Sequence, residues 1–156
     1  TLSKAIYERV SLQFEASCFI ADIREETRTH GLVSLQKDLI NKILMDGEIN
    51  ILNEYEARRV IANRLRNKKV FIVLDDVDEV KQLEALASHD WFGKGSRIII
   101  TSRDRHLLNR FVDSTYEVKK LNNAKALQLF SWRALKKLHP EENYVQLSMD
   151  IVNYAQ

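Results

Sequence analysis

Two adjacent carboxylates, Asp75 and Asp76, stand inside the string KKVFIVLDDVD that runs from Lys68 to Asp78. The five residues before them, Val70 to Leu74, are wholly apolar and rich in β-branched and aromatic types. They are too few for a buried helix and read as a strand. An apolar run that does not alternate requires cover on both faces, which belongs mainly to parallel sheets with helices above and below. In an open α/β sheet the carboxyl edge is where ligands bind. Two carboxylates there can hold Mg²⁺ beside a phosphate and polarise a water, as a Walker B strand does. A polar strand end that merely opens a turn is the other reading, and the string alone leaves both open. A second run, Arg97 to Thr101, RIIIT, continues into Ser102, Arg103 and Asp104. If the two strands are neighbours, its hydroxyls and guanidinium share the edge of Asp75 and Asp76. A guanidinium grips phosphate oxygens as a planar fork, so Arg103 could report a γ-phosphate; a plain surface arginine is the commoner fate.

The elements that must position these groups follow from periodicity. Leu2, Ala5, Ile6 and Val10 predict an amphipathic helix over Thr1 to Ser11, and Ser17 to Ile23, SCFIADI, predicts a strand. Arg24 to Gly31 reads as a charged connection ended by glycine. Leu32, Leu35, Leu39, Ile40 and Ile43 predict a helix, polar Asp46 to Asn53 a break, and Ala57, Val60, Ile61 and Leu65 another helix leading into Val70 to Leu74. Val80, Leu83, Leu86 and Ala87 mark a further helix, Arg103 to Arg110 a short one, and Thr115 to Val118 a fourth strand. Beyond it Asn122 or Asn123 can cap a helix carrying Leu127, Phe130, Ala134 and Leu138. After Pro140 a last helix carries Tyr144, Leu147, Ile151 and Ala155. Strands alternating with helices imply parallel βαβ units, and the helices after them a second unit. The expected division is residues 1–120, α/β, and 121–156, all-α.

Composition bounds the reading. The 156 residues are 45% apolar and 29% charged, which is that of a soluble globular protein. Their 24 basic residues are interleaved with 22 acidic ones for a formal charge of +2, which gives no warrant for a nucleic-acid or membrane partner. Cys18 is the single cysteine and sits in an apolar string, so a buried thiol in a reducing compartment is expected. No stretch is long and apolar enough to span a bilayer. His30, His89, His106 and His139 have no ligand spacing, and neither Trp91 nor Trp132 lies in a basic, aromatic-interleaved string. Residue 1 is Thr, and the chain reads as a segment of something longer.

The ordered strings TLSKAIYERV, FEASCFIADIRE, LQKDLI, KKVFIVLDDVDEVKQLEAL, GSRIIITSRDRHLL, YEVKKLNNAKALQLFSWRAL and IVNYAQ resemble the NB-ARC nucleotide-binding domain of plant intracellular immune receptors of the NBS-LRR class. The resemblance covers the whole chain. Asp78 after LDDV, with FIADIRE, resembles the subclass with an N-terminal TIR domain. The fold so implied is a P-loop NTPase-like parallel sheet with flanking helices, its first strand and P-loop lying before Thr1, followed by the opening helices of an all-α ARC bundle. In the family a Gly-Lys-Thr-Thr string precedes Leu-Ser-Lys, so the resemblance puts Thr1 at a phosphate, without the glycine and lysine of the loop. A Gly-Leu-Pro-Leu stretch is expected after Gln156. The resemblance further implies ADP or ATP with Mg²⁺ as cofactors: Asp75 as the metal-linked carboxylate, Asp76 as the residue orienting or activating the attacking water, and Arg103 as the phosphate sensor. It implies a switch in which ADP holds the receptor closed, ATP favours oligomeric signalling complexes and slow Mg²⁺-dependent hydrolysis resets it. Flanking TIR and leucine-rich-repeat domains are the implied partners, and cytoplasm or nucleus the location. The segment alone is expected to be inactive.

Two other classes compete. A P-loop nucleotide kinase should supply an arginine-rich acceptor lid in place of the two helices after residue 120. A phospho-receiver module also uses a strand-end acidic pair, a Thr/Ser strand end and a later lysine, as Asp75-Asp76, Thr101-Ser102 and Lys119 would; but it carries that pair on its first strand, whereas here two long helices come before.

Overall fold

The computed structural model describes residues 2–44 and 51–155, and among these every side chain except that of His89. Thr1, Gln156 and most of the polar break expected at Asp46 to Asn53 lie outside the described residues. The chain divides into two compact units, Thr1–Thr115 and Tyr116–Gln156.

In the first unit the order is α1 (Leu2–Val10), β1 (Ala16–Ile20), α2 (Ile23–Leu44), α3 (Glu54–Leu65), β2 (Val70–Leu74), α4 (Val80–Leu86), β3 (Arg97–Ile100) and α5 (Arg105–Asn109). The strands form one parallel sheet, β1-β2-β3, with Ile20 opposite Leu74 and Leu74 opposite Ile100. All five residues of β2 are buried, as a central strand with two covered faces requires. Full burial stabilises by about 1.5–3 kcal/mol for each large side chain. Val70, Ile72 and Leu74 join one core cluster with Leu35, Leu39, Ile61, Leu83 and Leu86 of α2, α3 and α4. Pleating turns Phe71 to the opposite face. There Tyr7 of α1 stacks on Phe71 at 5.9 Å and meets Phe19 edge-on at 5.7 Å, while Phe14 stacks on Phe71 at 5.1 Å.

The helices start where side chains satisfy their free N–H groups. Asn53 accepts from the Glu56 N–H while Glu56 accepts from Leu52. At α4 the buried Gln82 accepts from the N–H groups of Asp78 and Glu79 and donates to the Asp78 carboxylate, a capping box extended by one residue. Asp78 is thus part of a helix cap.

Three expectations are corrected. The strand predicted over Ser17 to Ile23 ends at Ile20, because Asp22 takes a left-handed φ of 51° and its carbonyl accepts from Glu26, starting α2. Ile23 is buried by the first turn of a helix, not by a strand. The stretch before Gly31 is helical as well, not a bare connection; Gly31, at φ 77° and ψ 167°, is itself non-helical and breaks α2 into two helical stretches, 23–30 and 32–44, that meet at a kink. The fourth strand at Thr115 to Val118 is absent: no described segment pairs with it, and Tyr116 and Val118 are exposed. Alternation supplies a face to bury, but a strand exists only beside a hydrogen-bonding partner.

In the second unit, α6 (Asn123–Ala134) is capped by Asn122, whose side chain accepts from Lys125, and packs against α7 (Val145–Tyr154). The buried positions are the small Ser131, Ser148 and Val152, whereas Leu147 and Ile151 of the expected apolar stripe are exposed.

Candidate functional site

Parallel strands deliver their exits to one edge, and the register puts those of β1, β2 and β3 side by side. The sheet ladder runs past the strand ends: Asp75 N–H donates to Ile20, Thr101 N–H to Leu74, and Val77 N–H to Thr101. The start of α2 is tied to the same place, with the N–H groups of Ile23 and Arg24 donating to the carbonyls of Asp75 and Asp76. Four segments therefore meet around two carboxylates.

Asp75 Oδ1 accepts from Thr101 Oγ1 at 2.7 Å and from Ser3 Oγ of α1 at 2.9 Å. The same Thr101 hydroxyl accepts from the Asp76 N–H at 2.9 Å, so one hydroxyl fixes both acidic residues. Asp76 sits at φ 57°, left-handed for a non-glycine residue, a conformation costing about 1–3 kcal/mol that persists only where its surroundings determine it. Its carboxylate turns to two guanidiniums: Oδ2 lies 3.3 Å from Arg24 Nε and Oδ1 lies 3.5 Å from Arg103 Nε. The Arg103 side chain is 78% exposed and that of Arg24 47%. Ser102 and Asp104 shape the turn that carries Arg103, Ser102 Oγ accepting from Asp104 N–H and the Asp104 carboxylate capping α5 through His106 and Leu107.

Of the residues singled out in the sequence, Asp75, Asp76 and Arg103 are thus brought together, and Thr1 lies outside the described residues. Ser3 and Arg24 were missed. Arg24 carried a signal, a basic residue directly after the apolar run SCFIADI, whereas Ser3 carried none.

No group of three or more His, Cys, Asp or Glu side chains that could cage a metal is present among the described residues. The donors do fit Mg²⁺ in the form it takes beside nucleotides, where one or two carboxylates and the phosphates complete its shell. Asp75 receives only neutral hydroxyl donors in the contacts above and keeps acceptor capacity, whereas Asp76 already faces two cations. Cys18 plays no part: burial pushes its thiol up to about 12, Lys42 acting against that and Asp38 with it, so it is a protonated core residue. Among the described residues no helix is long and apolar enough to cross a membrane.

The chain is 44% identical over 163 residues to the TMV resistance protein N of Nicotiana glutinosa, covering 99% of this chain and 14% of that protein. It is 43% identical over 159 residues to the disease resistance protein RUN1 of Vitis rotundifolia, and 42% identical over 159 residues to RPV1 of the same plant. All of this chain is covered in both comparisons, but only 12% and 11% of those relatives. Residues 1–139 match the NB-ARC domain model, and with the sheet, its flanking helices and the strand-edge carboxylates in place, the chain belongs to the NB-ARC family of nucleotide-binding domains.

Proposed function

We propose that this segment is the ADP/ATP-responsive part of an intracellular plant immune receptor of the TIR-type subclass, a switch that slow hydrolysis resets. The observation that carries the reading is the meeting of Asp75, Asp76, Thr101 and Arg103 on one carboxyl edge. The subclass is supported by the resistance proteins it resembles and by Asp78 after LDDV. Asp75 is the carboxylate left to ligate Mg²⁺, directly or through water; the metal, when bound, neutralises charge on the phosphates. Asp76, held by neighbouring cations, orients the attacking water. Arg103, the most exposed of the site's charged groups, leaves Asp76 for a terminal phosphate and so distinguishes ATP from ADP; only such a differential contact shifts a two-state equilibrium. Thr1 touches a phosphate beside the family's glycine-rich loop. TIR and leucine-rich-repeat domains flank the segment, oligomerisation accompanies activation, and the receptor works in cytoplasm or nucleus.

The test uses the intact receptor carrying this segment. Asp75→Ala weakens Mg²⁺-dependent nucleotide binding by calorimetry, and Asp76→Asn spares binding but slows single-turnover hydrolysis. Arg103→Ala changes the ratio of ATP to ADP affinity more than it changes ADP affinity. Equal losses for both nucleotides would reduce Arg103 to a general phosphate or structural contact.

A further inference from the structure

We propose that Arg24 is a positioning residue, which holds the Asp76 carboxylate in its working orientation whether or not Arg103 is attached to it. The inference rests on the reading of Asp76 as the water-orienting group. Asp76 is gripped from both sides, and the two grips differ in kind. Arg24 belongs to the first turn of α2 and makes two contacts, its backbone N–H donating to the Asp76 carbonyl at 3.2 Å and its Nε lying 3.3 Å from Oδ2. Its neighbour Ile23 is fully buried and donates to the Asp75 carbonyl, so the turn is anchored to the end of β2. Arg103 stands on the turn between β3 and α5, has a 78% exposed side chain, and reaches Oδ1 at 3.5 Å. One grip is fixed to the sheet and the other is free to leave.

Competing partners near Arg24 are engaged. The Glu25 carboxylate takes two hydrogen bonds from Arg28, at 2.7 and 3.2 Å, which hold it below the ordinary carboxylate range, and Glu26 faces His30 at 2.9 Å. Arg24 also adds to the charge that Glu25 feels, but the carboxylate its Nε reaches is that of Asp76, at 3.3 Å. If Arg103 were the sole cation on Asp76, moving it to a phosphate would strip a left-handed residue of its side-chain anchor at the moment its orientation matters. With Arg24 in place, Asp76 keeps one guanidinium throughout.

The test is a two-background comparison in the intact receptor: Arg24→Gln in the wild type and in Asp76→Asn, each read by single-turnover ATP hydrolysis and by ADP affinity. Misplacing a water-orienting group costs on the order of ten- to a hundredfold in rate. The expected result is a loss of at least about tenfold in the wild-type background, with ADP affinity changed by less than about threefold, and no further loss once the carboxylate is gone. A loss of equal size in both backgrounds, or none in the wild type, overturns the role of Arg24. Hydrolysis at the wild-type rate in Asp76→Asn alone is a separate outcome and overturns the reading of Asp76 itself. Arg24→Met, which keeps the aliphatic stem and removes the cation, decides the matter if Arg24→Gln does not fold: a loss of about tenfold confined to the background that has Asp76 supports the proposal, and an equal loss in both backgrounds, or none, overturns it.

Discussion

Thr101→Val tests whether one hydroxyl organises the candidate site. Valine keeps the branched shape but removes both bonds of Oγ1, that given to Asp75 at 2.7 Å and that taken from the Asp76 N–H at 2.9 Å. A hydrogen bond to a charged acceptor contributes about 1.5–3 kcal/mol and a neutral one about 0.5–1.5 kcal/mol. Both acidic residues are half-buried, so water replaces part of the loss and the lower end applies, about 2 kcal/mol. In a receptor with the flanking domains proposed above, a single melting temperature is a poor measure. Hydrogen exchange of the peptide spanning residues 74–78 reads the effect locally. Loss of about 2 kcal/mol accelerates exchange of the Asp76 amide about thirtyfold, and Thr101→Ser, which restores the hydroxyl, returns it towards the wild-type rate. An unchanged rate in the valine variant, or equal acceleration in the serine variant, would refute the assignment.

Three further outcomes follow from the packing. A Cβ on Gly93 would lie 2.7 Å from the Lys68 carbonyl oxygen and 2.8 Å from the Lys68 nitrogen, backbone atoms that lead directly into β2. Gly93→Ala is therefore expected to cost about 1–3 kcal/mol, seen as a lower yield of folded protein and faster exchange over residues 68–74, whereas Gly31→Ala meets no atom within 4 Å and suffers only its φ of 77°. Gln82→Leu leaves the N–H groups of Asp78 and Glu79 without their acceptor and should cost about 2–4 kcal/mol, checked by faster hydrogen exchange over residues 78–83. Cys18 should resist iodoacetamide until the protein unfolds; with its thiol raised from 9.0 to about 12 in the folded state, stability should fall as pH rises from about 9 towards 12 and show no Cys18-linked pH dependence below about 9.

The parts of the fold that were legible are those in which a local pattern has one physical solution. Val70 to Leu74 and Arg97 to Ile100 are β-branched runs bounded by polar residues, and both are strands. SCFIADI does contain a strand, but its end was placed too late, because an apolar residue after a strand can be buried by the next helical turn as well as by the strand itself, and Ile23 is. Gly31 does break the chain where glycine was expected to, its φ of 77° separating two helical stretches, but the charged residues before it form a helix of their own, which their lack of an apolar stripe concealed. Thr115 to Val118 failed for a non-local reason, since no composition reveals whether an edge is on offer.

The site divides along the same line. Asp75, Asp76 and Arg103 could be picked out because carboxylates and a guanidinium at strand exits are informative by type. Ser3 could not, because it reaches Asp75 across 72 positions of sequence and a serine in a short amphipathic helix has no distinguishing mark. Arg24 lies between these cases. Once β1 is known to run parallel beside β2, their exits must share an edge, and the first turn of α2, which follows β1, is brought beside the residues just after Leu74. Pairing of Arg24 with Asp76 is therefore a consequence of strand order, not of local sequence. A substitution that shifted β1 by one residue against β2 would part the two while leaving both strings unchanged.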